Sequence, residues 1–263
     1  MNEPTDAAQV CFPESLLKEL DTPGPRYTSY PTADRFKEPF DAQLYVRALR
    51  ERACGQRVGS TSPLSLYVHI PFCESVCYYC ACNKVVTRRH ERSAPYLRAL
   101  EREMALHSAV MGPAQPVSQV HLGGGTPTFL TDAELAGLMG AIRQHFRLAE
   151  HCEVSIEVDP RTASAARLQA LADMGFNRVS FGVQDFNPDV QRAIHREQPF
   201  EQVRELMHAA REIGFASINT DLIYGLPLQT VKSFATTVAQ VASLRPDRIA
   251  LYAYAHLPAR FKP

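Results

Sequence analysis

Short apolar runs at 64–70, 117–122, 153–158, 178–183, 216–223 and 248–254 alternate with stretches of helical period, and this alternation constrains the fold more than any other feature. Each run has the length of a strand, and between runs the period changes. Leu135, Leu138, Met139, Ile142 and Phe146 fall on one helical face, and Val203, Leu206, Met207, Ala210 and Ile213 on another. Thr131 to Glu134 reads as a capping box opening the first of these helices, while Gly175 and Gly214 stand where helix C-caps lead into strands. A βα repeat of this kind predicts an α/β fold with a parallel sheet, either open and doubly wound or curved into a barrel.

The first 60 or so residues break the pattern. Prolines between 23 and 39 disfavour helix, residues 41–52 suit one short helix, and 55–63 reads as a linker. The expected organisation is an extension and linker over 1–60 followed by one domain over 61–263. A chain of 263 residues that is 45% hydrophobic can bury a full single core. Its formal net charge of zero sets up no long-range field toward nucleic acid or an anionic membrane. No apolar run approaches the roughly 18 residues of a membrane span, so no membrane insertion is expected. The N-terminus has neither a basic region nor an apolar one, which predicts a cytoplasmic protein.

Three cysteines, Cys73, Cys77 and Cys80, carry the chemistry. Three thiolates spaced C-x3-C-x2-C can hold three irons of a 4Fe-4S cluster and leave the fourth open, whereas an electron-transfer cluster of that type takes four cysteines. A zinc site with Cys82 as fourth ligand is the alternative, but no second cysteine knuckle follows. A disulfide framework would need an oxidising compartment. Cys11, Cys54 and Cys152 are scattered singly and read as ordinary thiols. Gly123 to Gly125 match neither a phosphate loop nor a dinucleotide fingerprint, and imply a close backbone approach or simply a tight turn. His69, His121 and His256 read as hydrogen-bonded core residues rather than metal ligands or acid-base groups. From the residues alone, Glu157, Gln184 and Asp221 are equally well read as solvated or paired groups at strand ends.

The cysteine spacing resembles that of radical S-adenosylmethionine (SAM) enzymes. Further segments narrow the resemblance: Tyr67-Val-His-Ile-Pro-Phe-Cys73, the extra Cys82, His121-Leu-Gly-Gly-Gly-Thr-Pro-Thr128, Ile156-Glu-Val-Asp-Pro160, Phe181-Gly-Val-Gln-Asp-Phe186, Asp221-Leu-Ile-Tyr-Gly-Leu-Pro227 and Tyr254-Ala-His-Leu-Pro258. Together they resemble the oxygen-independent coproporphyrinogen III oxidases, from Thr22 to the last residue. This implies a six-stranded partial (β/α)6 barrel with an irregular N-terminal extension. The chain stops at Pro263, before the family's final barrel helix and C-terminal helical domain, and so reads as incomplete. Barrel chemistry sits at the C-terminal ends of strands, where Cys73, Gly123 to Thr126, Glu157, Asp159, Gln184, Asp185, Asp221 and Tyr254 to His256 all fall.

Matched position by position, the resemblance implies that Cys73, Cys77 and Cys80 ligate the cluster, with Cys82 near but not bound. It further implies two SAM molecules. Tyr67, Gly124 and Glu157 match contacts to the cluster-bound one, and Tyr79, Gly125, Thr126, Gln184, Arg196, Asp221 and Ala255 match contacts to the other. The implied activity is decarboxylation of two propionates of coproporphyrinogen III to vinyl groups, giving protoporphyrinogen IX in haem biosynthesis. A propionate β-carbon has no hydrogen that a side-chain base removes near neutral pH, so a cofactor-borne 5′-deoxyadenosyl radical is required. A low-potential electron donor and a monomeric state are also expected. A haem-binding chaperone of the same fold and a radical SAM methyltransferase are the rival readings. Cys82 and the segment Arg26 to Pro31, which chaperone-like relatives generally lack, argue against the first. That segment is expected to cover the barrel mouth.

Overall fold

The computed structural model describes residues 13–21, 32, 35–36, 40–56, 62–112 and 115–255. Cys11, His256 and the segment Arg26 to Pro31 lie outside the described residues. The chain divides into two compact units, with the boundary between Tyr45 and Val46. The first contains helix α1 (Glu14–Leu20), in a stretch expected to be irregular. Pro13 opens it and Glu14 pairs with Lys18 at 2.7 Å, an i,i+4 contact that supports a short exposed helix. Helix α2 (Ala42–Ala53) begins in this unit, where the Asp41 carboxylate accepts the Leu44 N–H at 2.8 Å as an N-cap.

The second unit is the βα repeat. Strand β1 (Leu64–Ile70) leads to a two-stranded clip, β2 (Phe72–Cys73) and β3 (Val85–Val86), and then to α3 (Ser93–Met111). There follow β4 (Pro116–Gly124), α4 (Asp132–His145), β5 (Arg147–Val158), α5 (Ala165–Asp173), β6 (Arg178–Gln184), α6 (Pro188–Ala193), α7 (Phe200–Ile213), β7 (Ser217–Tyr224), α8 (Val231–Leu244) and β8 (Arg248–Ala253). The main sheet has six parallel strands in the order β1-β4-β5-β6-β7-β8. A doubly wound sheet reverses its strand order at a switch point. Here spatial order follows chain order without reversal, which curves the sheet into a half-barrel.

The predicted local signals are realised. Thr131 and Glu134 form a capping box on α4, and Gly175 and Gly214 take positive φ of 96° and 98° after α5 and α7. The predicted faces of α4 and α7 are buried at Leu135, Leu138, Met139, Ile142, Val203, Leu206, Met207 and Ala210. Strand β5 begins at Arg147, earlier than its apolar pattern indicates, because Arg147 and Leu148 pair with β4 although its first five residues are only exposed or half-buried.

Period-two alternation gives the sheet two unlike faces. Val120, Leu122, Ile156, Val179, Phe181 and Ile218 are essentially buried in the hydrophobic core. Each contributes on the order of 1.5–3 kcal/mol of transfer free energy. The alternate positions, Gln119, His121, Ser155, Glu157, Ser180 and Asp221, line the inner cavity. A closed barrel fills that space with bulky branched side chains; this one lines it with polar groups. No helix among the described residues is long and apolar enough to cross a membrane.

Candidate active site

The cysteine loop is clipped at its base to the mouth of the half-barrel. Val85 N–H donates to Pro71 O at 2.7 Å and Thr87 N–H to Cys73 O at 2.8 Å, which closes β2 against β3 around Cys77 and Cys80. Cys73 and Cys77 are buried, Cys80 is half-buried and Cys82 is exposed. Burial pushes the Cys73 thiol up, and the Thr126 hydroxyl, which donates to its sulfur at 3.6 Å, works against this. A hydrogen bond from the Cys82 thiol brings Cys80 down to about 6, while Cys82 itself is pushed up by the same bond. Cys80 is thus brought into the range where a thiolate forms near neutral pH. Tyr79 packs against the small apolar cluster of Val190, Ile194, Ile223 and Leu226, and burial raises its phenol. No three His, Cys, Asp or Glu side chains among the described residues close around a single ion.

Beside Cys77 stands a charged wall. Asp159, directly after β5, takes Arg161 through Nη2 at 2.7 Å and Nε at 3.0 Å, and Arg196 Nη1 at 3.2 Å. Burial opposes the charge on Asp159, and Arg196 and Arg161 outweigh it and hold its carboxyl below the usual range. Both guanidiniums also donate to the Cys77 sulfur, Arg161 Nη2 and Arg196 Nη1 each at 3.6 Å. Arg196 is only 7% exposed and bonds the Gly182 carbonyl at 2.8 Å, so it belongs to the interior. Its Nε–H is buried without a partner among the described residues. Gln184 ends β6 with a φ of 66°, a left-handed conformation that is uncommon outside glycine. Its amide nitrogen and Arg196 Nη2 both approach the space where a Cβ on Gly182 would lie, at 3.0 and 2.8 Å.

Over the cavity the three glycines have a definite use. A Cβ on Gly125 would stand 2.8 Å from Cys73 Sγ and from the Pro71 carbonyl, and one on Gly124 2.8 Å from the His69 ring. Gly124 also has a φ of 115°. One on Gly123 would meet Glu157 at 2.9 Å and His121 and Tyr67 at 3.0 Å. The glycines therefore let the cysteine loop and three inner-face side chains come close to the same backbone. Glu157 accepts Gly124 N–H at 3.2 Å and faces His121 Nε2 at 3.2 Å, while His121 Nδ1 lies 2.6 Å from the Ser155 hydroxyl. The Tyr67 ring stacks on His121 with centroids 5.8 Å apart, and its hydroxyl lies 2.9 Å from His69 Nδ1. Deeper in, Asp221 accepts from Ser180 Oγ at 3.1 Å and Asn219 Nδ2 at 3.1 Å. Burial, with the Glu157 charge second, pushes Asp221 up to about 6.

The structure thus brings the predicted residues into three groups. Tyr67, Glu157 and Asp221 line a cavity of about 550 Å³ inside the sheet. Arg196 and Gln184 converge at Gly182, and Gly125 and Thr126 meet Cys73. Ala255 follows β8 as an exposed coil residue. His69 and His121 are hydrogen-bonded as expected, yet His121 faces the cavity rather than the core. The sequence reading placed Asp159 only at a strand end and passed over Arg161. The available signal was an acid and a base two residues apart across Pro160, straight after a strand-end glutamate.

A family model described as "Radical SAM superfamily" matches residues 67–241. The oxygen-independent coproporphyrinogen III oxidase of Pseudomonas aeruginosa is 51% identical over 253 residues, covering 94% of this chain and 53% of that protein. The protein of the same name from Escherichia coli is 49% identical over 253 residues, covering 96% and 54%. A solved structure of coproporphyrinogen III oxidase from Escherichia coli, described as a radical SAM enzyme, superposes with a TM-score of 0.85 at 47% identity, covering 96% of this chain and 55% of that one. The chain spans about half the length of the curated relatives it matches.

Proposed function

This chain belongs to the radical SAM superfamily, whose chemistry rests on a 4Fe-4S cluster and SAM, and from that premise we propose that it is the barrel portion of an oxygen-independent coproporphyrinogen III oxidase. The reaction converts two propionates of coproporphyrinogen III to vinyl groups in haem biosynthesis and gives protoporphyrinogen IX. We place it in the cytoplasm, as a monomer served by a low-potential electron donor.

The residues present fit the group. Three cysteines on one clipped loop include one lowered to about 6, and hydroxyl and guanidinium donors already point at the sulfurs of Cys73 and Cys77. Cys73, Cys77 and Cys80 would hold the cluster, with Cys82 as a neighbour that tunes Cys80 without ligating. When bound, the cluster and SAM supply one-electron reduction and a carbon radical able to take a hydrogen atom from an unactivated carbon. Tyr67, Gly124 and Glu157 would lie against one SAM, with the Glu157 carboxylate fixed by Gly124 N–H and His121 for a cationic amino group. Tyr79, Gly125, Thr126, Gln184, Arg196, Asp221 and Ala255 would serve a second.

The observation that carries this reading is the meeting of the cysteine loop with Gly125 at the mouth of a polar-lined half-barrel, where a single Cβ would collide with Cys73. The substrate assignment is supported by the likeness to relatives bearing that name. The test is anaerobic incubation of the iron-reconstituted protein with SAM, a strong reductant and coproporphyrinogen III. Formation of divinyl product supports the assignment, whereas tight haem binding without loss of CO2 favours the chaperone. Counting SAM per cluster in wild type and Asp221→Ala tests the second site: a wild-type ratio near one would contradict it.

A further inference from the structure

Arg161 lies outside every set of residues assigned so far, yet it touches the sulfur of a cluster ligand. We propose that Arg161 sets the reduction potential of the cluster through Cys77, a role distinct from holding SAM; the proposal rests on the cluster reading above.

The fork of Arg161 is immobilised from its own turn. Asp159 Oδ1 accepts the Arg161 backbone N–H at 3.1 Å and its Nε at 3.0 Å, Asp159 Oδ2 accepts Nη2 at 2.7 Å, and the His195 carbonyl lies 3.5 Å from Nη1. The remaining direction of Nη2 is toward Cys77 Sγ, at 3.6 Å. Arg196 bonds the same sulfur and Asp159 pairs with both arginines, so within this bonded set two positive charges and one negative stand beside Cys77. Reducing the cluster adds one negative charge. Positive charge and hydrogen bonds at a ligating sulfur stabilise that state and raise the potential, and burial strengthens the effect.

Arg161 faces a different space from the inner cavity. It lines a second cavity of about 190 Å³ with Glu74, Thr126, Thr128 and Asp159 and is absent from the lining of the inner one, and because Thr126 is shared with the proposed second SAM site, SAM affinity is measured beside the potential. Arg196, by contrast, is also tied to Gly182 in the sheet. Altering Arg161 therefore removes one charge from the sulfur and leaves the inner wall in place.

The experiment is a potentiometric titration of the reconstituted protein, followed by the electron paramagnetic resonance of the reduced cluster, with iron content and SAM affinity measured in parallel. Arg161→Met is expected to keep iron and SAM affinity while lowering the one-electron reduction equilibrium constant at least tenfold, about 59 mV. If Arg161→Met does not retain iron, Arg161→Gln decides, since it keeps an N–H donor and loses only the charge; the same downward direction is expected. An unchanged potential with full iron in either variant overturns the proposal. A tenfold loss of SAM affinity at unchanged potential also overturns it and makes Arg161 a SAM-site residue. Absence of an iron-sulfur spectrum in wild type instead sinks the cluster reading beneath it.

Discussion

Cys77 and Cys80 stand three residues apart on one loop, and their sulfurs meet different surroundings. Cys77 is buried against Arg161 and Arg196, side chains that reach it from 84 and 119 residues away in the sequence. Cys80 is half-buried, and its partners are local: the Cys82 thiol lowers it, and Lys84 Nζ donates to its carbonyl at 2.6 Å. One side of the ligand loop is therefore tuned by the barrel wall and the other by the loop itself. Changes on the barrel side should propagate into fold and cofactor retention together, whereas changes at the tip should stay local.

The largest effect is expected from Cys77→Ser, which removes the thiol that joins loop to wall. Bound iron and the visible charge-transfer absorbance should fall to near background, while Cys82→Ser should leave iron content largely intact. Equal iron loss in both would erase the distinction between the two sides.

Next comes the seam between loop and barrel. Gly125→Ala places a Cβ 2.8 Å from Cys73 Sγ and the Pro71 carbonyl, an overpacking that costs about 1–3 kcal/mol. Thermal denaturation should show a lowered midpoint together with reduced iron occupancy. Gly137→Ala, in α4 with nothing within 4 Å of the new Cβ, is the control. It should be neutral or stabilising by about 0.5–1 kcal/mol.

A smaller effect tests the wall without touching the loop. Asp221 is raised to about 6 in the folded protein from an ordinary 3.8. Between those values the native state holds more protons than the unfolded chain, so this group's contribution to stability is greatest below about pH 4 and falls as pH rises through 6. Asp221→Asn keeps hydrogen-bonding capacity toward Ser180 and removes the buried charge. The variant should gain on the order of 1–2 kcal/mol at pH 7 to 8, less than the shift alone would give because the site is partly solvated, and nothing at pH 4. Denaturation midpoints at the two pH values check this. A gain of equal size at both would show that the charge is not the cause.

The βα repeat, the caps of α4 and α7 and the grouping of three cysteines on one loop were legible because each is written within a few neighbouring residues. Thr131 with Glu134 and Gly214 after its helix act within one turn, and Cys73 to Cys80 form one short loop. The exposed helix α1 was missed for the converse reason, since a short helix supported by one i,i+4 pair carries no buried face to read. The glycine run was legible as a close approach, but what approached it was not: Cys73, His69, Glu157 and Tyr67 arrive from other elements.

From the sequence alone came the strands and the class of fold, through local period, and the one loop on which Cys73, Cys77 and Cys80 lie, through spacing. Only the tertiary structure put two arginines on Cys77, set His121 between Ser155 and Glu157, and raised Asp221 by burying it near Glu157. The physical reason is register. Parallel pairing aligns His121 with Ser155 and Gly182 with Asp221, and the electrostatics of the site follow from those alignments between distant stretches of chain.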